Sequence, residues 1–192
     1  MYRLLISLFL TLFILPAHAG EHILTPLLGI SNWSDNTGHT ARGSTLSFRD
    51  SNEVTYGFRY LYLLENGFAF GGNAYLYDKD LTASGQANDA GVGHFHALGE
   101  YFFNHTEKIA PFVGVGVGFS AIGFTGGVLD DEGTAGLSVE LNGGVLFRLS
   151  ELIGLQLEYK FTSFEMDDEI DNLQTNIDTT ASSLLLGLTI HL

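Results

Sequence analysis

Between Ala135 and Phe164 the chain alternates apolar and polar residues with a period of two. Leu137, Val139 and Leu141, then Val145, Phe147 and Leu149, take every second position, with Ser138, Glu140, Asn142 and Arg148 between them. After a break at Ser150-Glu151, Leu155, Leu157, Tyr159 and Phe161 alternate with Gln156, Glu158, Lys160 and Thr162. Two such runs of about ten residues predict two strands, each with one apolar and one polar face. The polar faces carry formal charges, which a soluble core rejects unless they are paired. In a membrane barrel the order is reversed: the apolar face meets lipid and the charged face lines the lumen.

The same alternation marks six more strands. The first runs from about Ile23 to Asn32, with Leu24, Pro26, Leu28 and Ile30 on one face. The second, Glu53 to Leu64, turns Val54, Tyr56, Phe58, Tyr60 and Tyr62 outward and Thr55, Gly57 and Arg59 inward. Glu65-Asn66-Gly67 follows as a tight turn, because Asn-Gly accepts the positive φ angles a short hairpin requires. Phe68 to Tyr77 is the third strand. Gly91 to Phe103 is the fourth, with Phe95, Ala97, Tyr101 and Phe103 outward and His94, His96, Leu98 and Glu100 inward. Ile109 to Ile122 is the fifth, where Val113, Val115, Val117 and Phe119 face out and Gly114, Gly116 and Gly118 face in. Ser182 to Leu192 closes the set.

Connection lengths give a second, independent signal. The stretches after strands two, four and six are about three to five residues long. Those after one, three, five and seven, including 78–90, 123–134 and 165–180, read as polar loops of about twelve to nineteen. Short periplasmic turns, long outer loops and an even strand count belong to outer-membrane barrels. The expected fold is therefore all-β: an eight-stranded, antiparallel, up-and-down transmembrane β-barrel.

Composition sharpens this picture. Arg3, an apolar run from Leu4 to Leu15, and Ala17-His18-Ala19 read as a secretory signal over residues 1–19, leaving one barrel domain over 20–192. That run is too short to span a bilayer as a helix. The chain has no cysteine, so disulfides and thiolate metal sites are excluded. The formal net charge is −14, and a basic footprint for nucleic acid is absent.

The Pro111-Phe112-Val113-Gly114-Val115-Gly116-Val117-Gly118-Phe119 strand, the Gly154-Leu155-Gln156-Leu157-Glu158-Tyr159-Lys160-Phe161 strand and the alternating last strand resemble the small outer-membrane β-barrel proteins. That group holds OmpX-like, OmpA transmembrane-type and opacity-type eight-stranded barrels. The resemblance covers about Ile23 to Leu192. It implies a place in the outer membrane of a Gram-negative bacterium, contact with outer-membrane lipid and lipopolysaccharide, and a monomer. It also implies an envelope-structural, adhesin or defence role, with lipid-modifying enzymes as the rarer case.

Six ionisable residues fall on lumen-facing positions: Arg59, Glu100, Glu140, Arg148, Glu158 and Lys160. An eight-stranded barrel is only wide enough for side chains to fill, and charges there are costly unless paired. The expectation is a salt-bridge network that plugs the lumen as a static core, with a switchable gate for small ions as the alternative. His94 and His96 share a face at a spacing open to metal, but no third ligand completes a motif, so no metal and no cofactor are expected. An enzyme reading would take His94 or His96 with Ser120 or Ser138 as nucleophile and Glu140 as orienter. The expectation is that there is no catalytic site. Glu165, Asp167, Asp168, Glu169, Asp171 and Asp178 form an acidic outer loop, read as solvated rather than as a Ca²⁺ or Mg²⁺ site because the calcium-loop spacing is missing. Such loops are also where a surface partner would bind. The rival from another class is a soluble lipocalin-like carrier, which would turn the charged faces outward.

Overall fold

The computed structural model describes residues 20–192 except 34–38, 42–43, 49–50, 84, 126–128, 130–132 and 171–172, and gives the backbone alone at 44, 86–88, 168–170 and 173–174. The expected signal at 1–19 lies outside the described residues. Eight long strands make the barrel: β1 (Gly20–Trp33), β4 (Glu53–Leu64), β5 (Phe68–Ala83), β6 (Gln86–Phe102), β7 (Ile109–Thr125), β8 (Gly133–Arg148), β9 (Ile153–Ile170) and β10 (Leu173–His191). Two short strands, β2 (His39–Ala41) and β3 (Ser44–Phe48), lie between β1 and β4. Each long strand pairs antiparallel with its neighbours in sequence. The circle closes where β1 meets β10, from Ile23 opposite His191 to Trp33 opposite Ala181.

Face orientation follows the alternation. Val117 is 63% exposed and Leu137 72%, while Arg59, Glu158 and Lys160 are each at 0%. Leu28, Phe58, Phe95, Val115, Leu157 and Leu186 complete an apolar outer belt. A soluble carrier needs the opposite arrangement, so that alternative is overturned.

The outer connections differ from the expectation. The stretch 78–90 is not a loop: β5 runs on to Ala83, β6 begins at Gln86, and only residues 84–85 join them, with Gly85 at φ +82°. Likewise β9 and β10 carry the acidic stretch as paired strands, with Phe164 opposite Thr179 and Met166 opposite Ile177. The physical reason is an inversion of pattern. Above the belt Asp78 and Asp80 point outward, while Tyr77, Leu81 and Ala83 point in. Polar-out, apolar-in is the pattern of a wall standing in water, and its polarity imitates a loop.

The expected first loop contains the β2–β3 hairpin. Thr40 pairs with Asn176 of β10, and Leu46 to Phe48 pair with Ala83 to Leu81 of β5. The hairpin thus completes the wall above β1 and β4, which end lower. Inside this outer section Trp33, Leu46, Tyr77, Phe124, Phe164 and Ile177 pack a hydrophobic core. A second core at the periplasmic end gathers Ile23, Leu61, Leu98, Phe102, Phe112 and Leu146. The charged layer lies between them.

The inward glycines set how closely strands approach. At Gly118, opposite His96, an added Cβ would overlap the carbonyl oxygen of Phe95. Gly99 on β6 faces outward into open space. Gly118→Ala is expected to lower the urea-unfolding stability of the refolded barrel by about 1–3 kcal/mol through overpacking. Gly99→Ala should leave it unchanged, and equal effects would contradict the close approach.

Candidate functional site

At mid-barrel, strands β4, β6, β8 and β9 each aim charged side chains at one point. The Arg59 guanidinium donates through Nη1 to Glu100 Oε1 at 2.9 Å and lies 2.9 Å from Glu158 Oε2. Lys160 Nζ sits 3.3 Å from Glu158 Oε1 and 3.1 Å from Glu140 Oε1. Asn142 Nδ2 bridges the cluster, donating to Glu100 Oε1 and to Glu140 Oε1 at 3.0 Å each. Asn73 donates to both oxygens of Glu140, and Gln156 donates to Glu158 Oε2 at 2.6 Å. Rings line the two cations: Lys160 Nζ is 4.6 Å from the Tyr75 ring centre, and the Arg59 guanidinium 5.1 Å from that of Phe112. Space for these long side chains comes from glycine. A Cβ at Gly114 would lie 2.5 Å from both Asn142 Oδ1 and Glu100 Cγ.

Five of the six lumen charges read from sequence therefore meet in one ion-paired cluster. The sixth, Arg148, stands apart at the periplasmic rim. It makes a two-point pair with Glu21, Nη1 to Oε1 at 3.1 Å and Nη2 to Oε2 at 2.9 Å, and His191 Nδ1 lies 2.5 Å from Glu21 Oε1. This trio ties β8 to β1 and β10 across the mouth. Sequence reading missed Glu21 because the first strand was begun at Ile23. Glu21 shares the inward parity of Ile23 and Thr25, and extending the strand by one alternation would have found it.

Outward of the ion cluster lies a layer of His, Ser and Tyr. Trp33 Nε1 donates to the Tyr77 hydroxyl at 2.6 Å, Tyr77 contacts His94 Nε2 at 2.9 Å, and His94 Nδ1 contacts Ser120 Oγ at 2.5 Å. Indole is only a donor, so Trp33 opens the chain by donating to Tyr77, and the His94 tautomer sets the direction of the two contacts beyond it. His96 joins different partners, with Nε2 2.8 Å from Ser138 Oγ and Nδ1 3.1 Å from Glu140 Oε2. The two rings stack, centres 6.1 Å apart, rather than converging on one point. Among the described residues no three His, Asp or Glu side chains are grouped to hold a metal ion.

The Ser138–His96–Glu140 distances match those of a nucleophile, base and orienter. Chemistry needs more than these distances. Ser138 and His96 are each only 4% exposed inside a filled barrel, and Glu140 is also engaged by Lys160, Asn73 and Asn142.

The acidic residues occupy the outer wall. Glu165 and Asp178 are exposed and stand directly opposite each other across β9 and β10. Asp167 is exposed and accepts a hydrogen bond from Asn176 at 2.5 Å. Asp168 and Glu169 belong to β9 rather than to a loop, and Asp171 lies outside the described residues. A second like-charge pair, Asp80 opposite Asp89, was not singled out from sequence; it became visible only with the β5–β6 register.

Comparison with known proteins places this architecture. The family model described as "Outer membrane protein beta-barrel domain" matches residues 5–188. Among solved structures the chain is similar to Neisserial surface protein A, at 12% identity and a TM-score of 0.64, covering 88% of this chain and 96% of that one. It is also similar to OprG of Pseudomonas aeruginosa, at 14% identity and a TM-score of 0.60, over 91% and 96% of the two chains. Ail, the attachment invasion locus protein of Yersinia pestis, solved in complex with the heparin analogue sucrose octasulfate, matches at 15% identity and a TM-score of 0.58, over 91% and 99%. No curated protein matches the chain by sequence. At these identities the structural likeness speaks for fold alone. The match over almost the whole chain, together with the closed barrel and its lipid-facing belt, makes this protein a member of the outer membrane protein β-barrel domain family, resident in the outer membrane of a Gram-negative bacterium.

Proposed function

We propose that the protein is a non-enzymatic, ion-tight monomeric barrel whose duties are envelope structure and surface interaction through its acidic outer wall. The observation that carries this reading is the lumen itself. Arg59, Lys160 and Glu158 are wholly buried and locked to one another and to Glu100 and Glu140, with hydrophobic cores above and below. An ion crossing the barrel would have to break charge pairs in a low-dielectric interior, where desolvation is expensive. The network is read as a static plug, since the packing around it fixes each partner.

The outer wall sets the partner chemistry. Asp78, Asp80, Asp89, Glu165, Asp167 and Asp178 are exposed there, and among the described residues no Lys or Arg is exposed on that section. Asp80 stands opposite Asp89 and Glu165 opposite Asp178, and this concentration of exposed carboxylates favours a cationic partner surface. Ail was solved with a polyanion, and the acidic wall here opposes such a ligand.

Two outcomes follow. In planar bilayers the reconstituted protein should show no steady single-channel current, and Glu158→Ala should be equally silent; channels opened by Glu158→Ala would convert the plug into a gate. On columns the refolded protein should pass through immobilised heparin and be retained on poly-lysine, eluting as salt rises because exposed charges are screened over about 10 Å at 0.1 M salt. Retention on heparin at physiological salt would overturn the proposed partner chemistry.

A further inference from the structure

A stripe of buried polar atoms runs up the lumen wall between the periplasmic rim and the ion cluster, along β10 and its neighbours β9 and β1. At its foot is His191, whose Nδ1 contacts Glu21 and whose Nε2 points inward without a protein partner. One alternation higher, Thr189 faces Thr25 between the Leu24–Ile190 and Leu27–Gly187 register pairs. Both hydroxyls are without a partner, and both residues are at 0% exposure. Gln156 stands opposite Gly187 on β9; its amide nitrogen donates to Glu158, and its Oε1 is unpartnered. At the top is Arg59, opposite Thr25 on β4, with Nε and Nη2 free of partners while Nη1 holds Glu100. Beside the stripe, β7 and β8 carry an apolar wall of Ala110, Phe112 and Leu146, with Leu146 opposite Gln156 and the Phe112 ring centre 5.1 Å from the Arg59 guanidinium.

Buried polar groups in native proteins are satisfied by protein or by ordered water. One orphan is commonplace. Five residues in succession on one side of a barrel, joining a partly exposed rim to a buried ion pair, form a path. Its mouth is wet, since the Glu21 and Arg148 side chains keep 29% and 17% exposure. Glycine at 187 and 154 keeps the stripe from being closed by a side chain of its own: a Cβ at Gly187 would press on Thr25 Cγ2 at 2.5 Å, and one at Gly154 would meet Leu146 Cδ1 at 2.9 Å and His191 Nε2 at 3.2 Å.

We infer that the stripe is a water-filled half-channel, open to the periplasm and dead-ended at Arg59 and Glu158, that admits water and small monovalent cations. Thr25, Thr189, Gln156 and His191 supply each water with the two to four polar partners that hold it in place. At the mouth the Glu21 carboxylate is held by Arg148 and His191, and the unpartnered oxygens of Thr25, Thr189 and Gln156 line the way in. The half-channel goes beyond the plugged-lumen reading by giving the periplasmic half of the lumen a solvent route of its own.

The chain has no native cysteine, so single-cysteine variants report without background. Thr25→Cys and Thr189→Cys place thiols in the path. Ala110→Cys places one on the apolar wall at similar depth, Ser138→Cys one beyond the ion cluster, and Ser150→Cys one in the exposed periplasmic turn. The probe is Ag⁺ added to the folded, reconstituted barrels, with the unreacted thiol titrated after unfolding. Heat-modifiable gel mobility confirms folding of each variant beforehand. The expected result is that Thr25→Cys and Thr189→Cys react at least tenfold faster than Ala110→Cys and Ser138→Cys, approaching Ser150→Cys. Reaction of both threonine-site thiols no faster than Ala110→Cys would overturn the path. Ser138→Cys reacting as fast as Thr189→Cys would overturn the dead end.

Discussion

The barrel is organised around the need to neutralise charge in a space too narrow for bulk water. Eight strands enclose a lumen that side chains fill. Arg59, Lys160, Glu100, Glu140 and Glu158 all occupy it at almost no exposure. Two cations among three carboxylates tolerate that setting only when each has close partners, and the 2.9–3.3 Å contacts supply them. Other features follow from this constraint. Gly114 leaves room on β7 for Asn142 and Glu100, Asn73 and Gln156 saturate carboxylate oxygens, and Tyr75 and Phe112 offer ring faces to the cations. Removing one partner of such a pair leaves a stranded charge, which costs more than the pair itself contributes.

A second constraint is the lipid boundary, where the binary pattern changes sign. On β9, Leu155, Leu157, Tyr159 and Phe161 face out against Gln156, Glu158 and Lys160 within; farther out, Glu165 and Asp167 face out against Phe164 and Met166 within. One strand thus serves two solvents by exchanging its faces. The outer section is a small β-barrel standing in water with its own aromatic core around Trp33, Tyr77 and Phe164. The β2–β3 hairpin closes its wall where β1 and β4 stop short.

The membrane half was legible because its signal is redundant. Strict alternation, aromatic and aliphatic residues on one parity and charges on the other all identify the same face, so Arg59, Glu100, Glu140, Glu158 and Lys160 were placed in the lumen without coordinates. The outer half was misread because Asp78, Asp80, Glu165 and Asp167 look like loop residues when counted by polarity instead of by parity. Arg148 was read on the lumen-facing parity as one member of the network, and its place at the rim depends on the strand ends. Its true partner, Glu21, lay outside the first strand as drawn. The His96–Ser138 and His94–Ser120 contacts depend on β6–β8 proximity and on register, which no local pattern encodes.

The most direct measurement is a double-mutant cycle on Arg59 and Glu100 by urea unfolding in lipid vesicles. Among the described residues Glu100 makes side-chain hydrogen bonds with Arg59 and Asn142, which keeps the cycle simple. Arg59→Met should cost about 3–5 kcal/mol, because it strands Glu100 in the lumen, and Glu100→Leu about 1–3 kcal/mol, because Arg59 keeps Glu158. The double variant should cost less than the sum of the singles, by a coupling of about 0.5–3 kcal/mol. Strictly additive losses, or single losses below about 1 kcal/mol as at a solvated surface pair, would contradict a buried, mutually dependent lumen network.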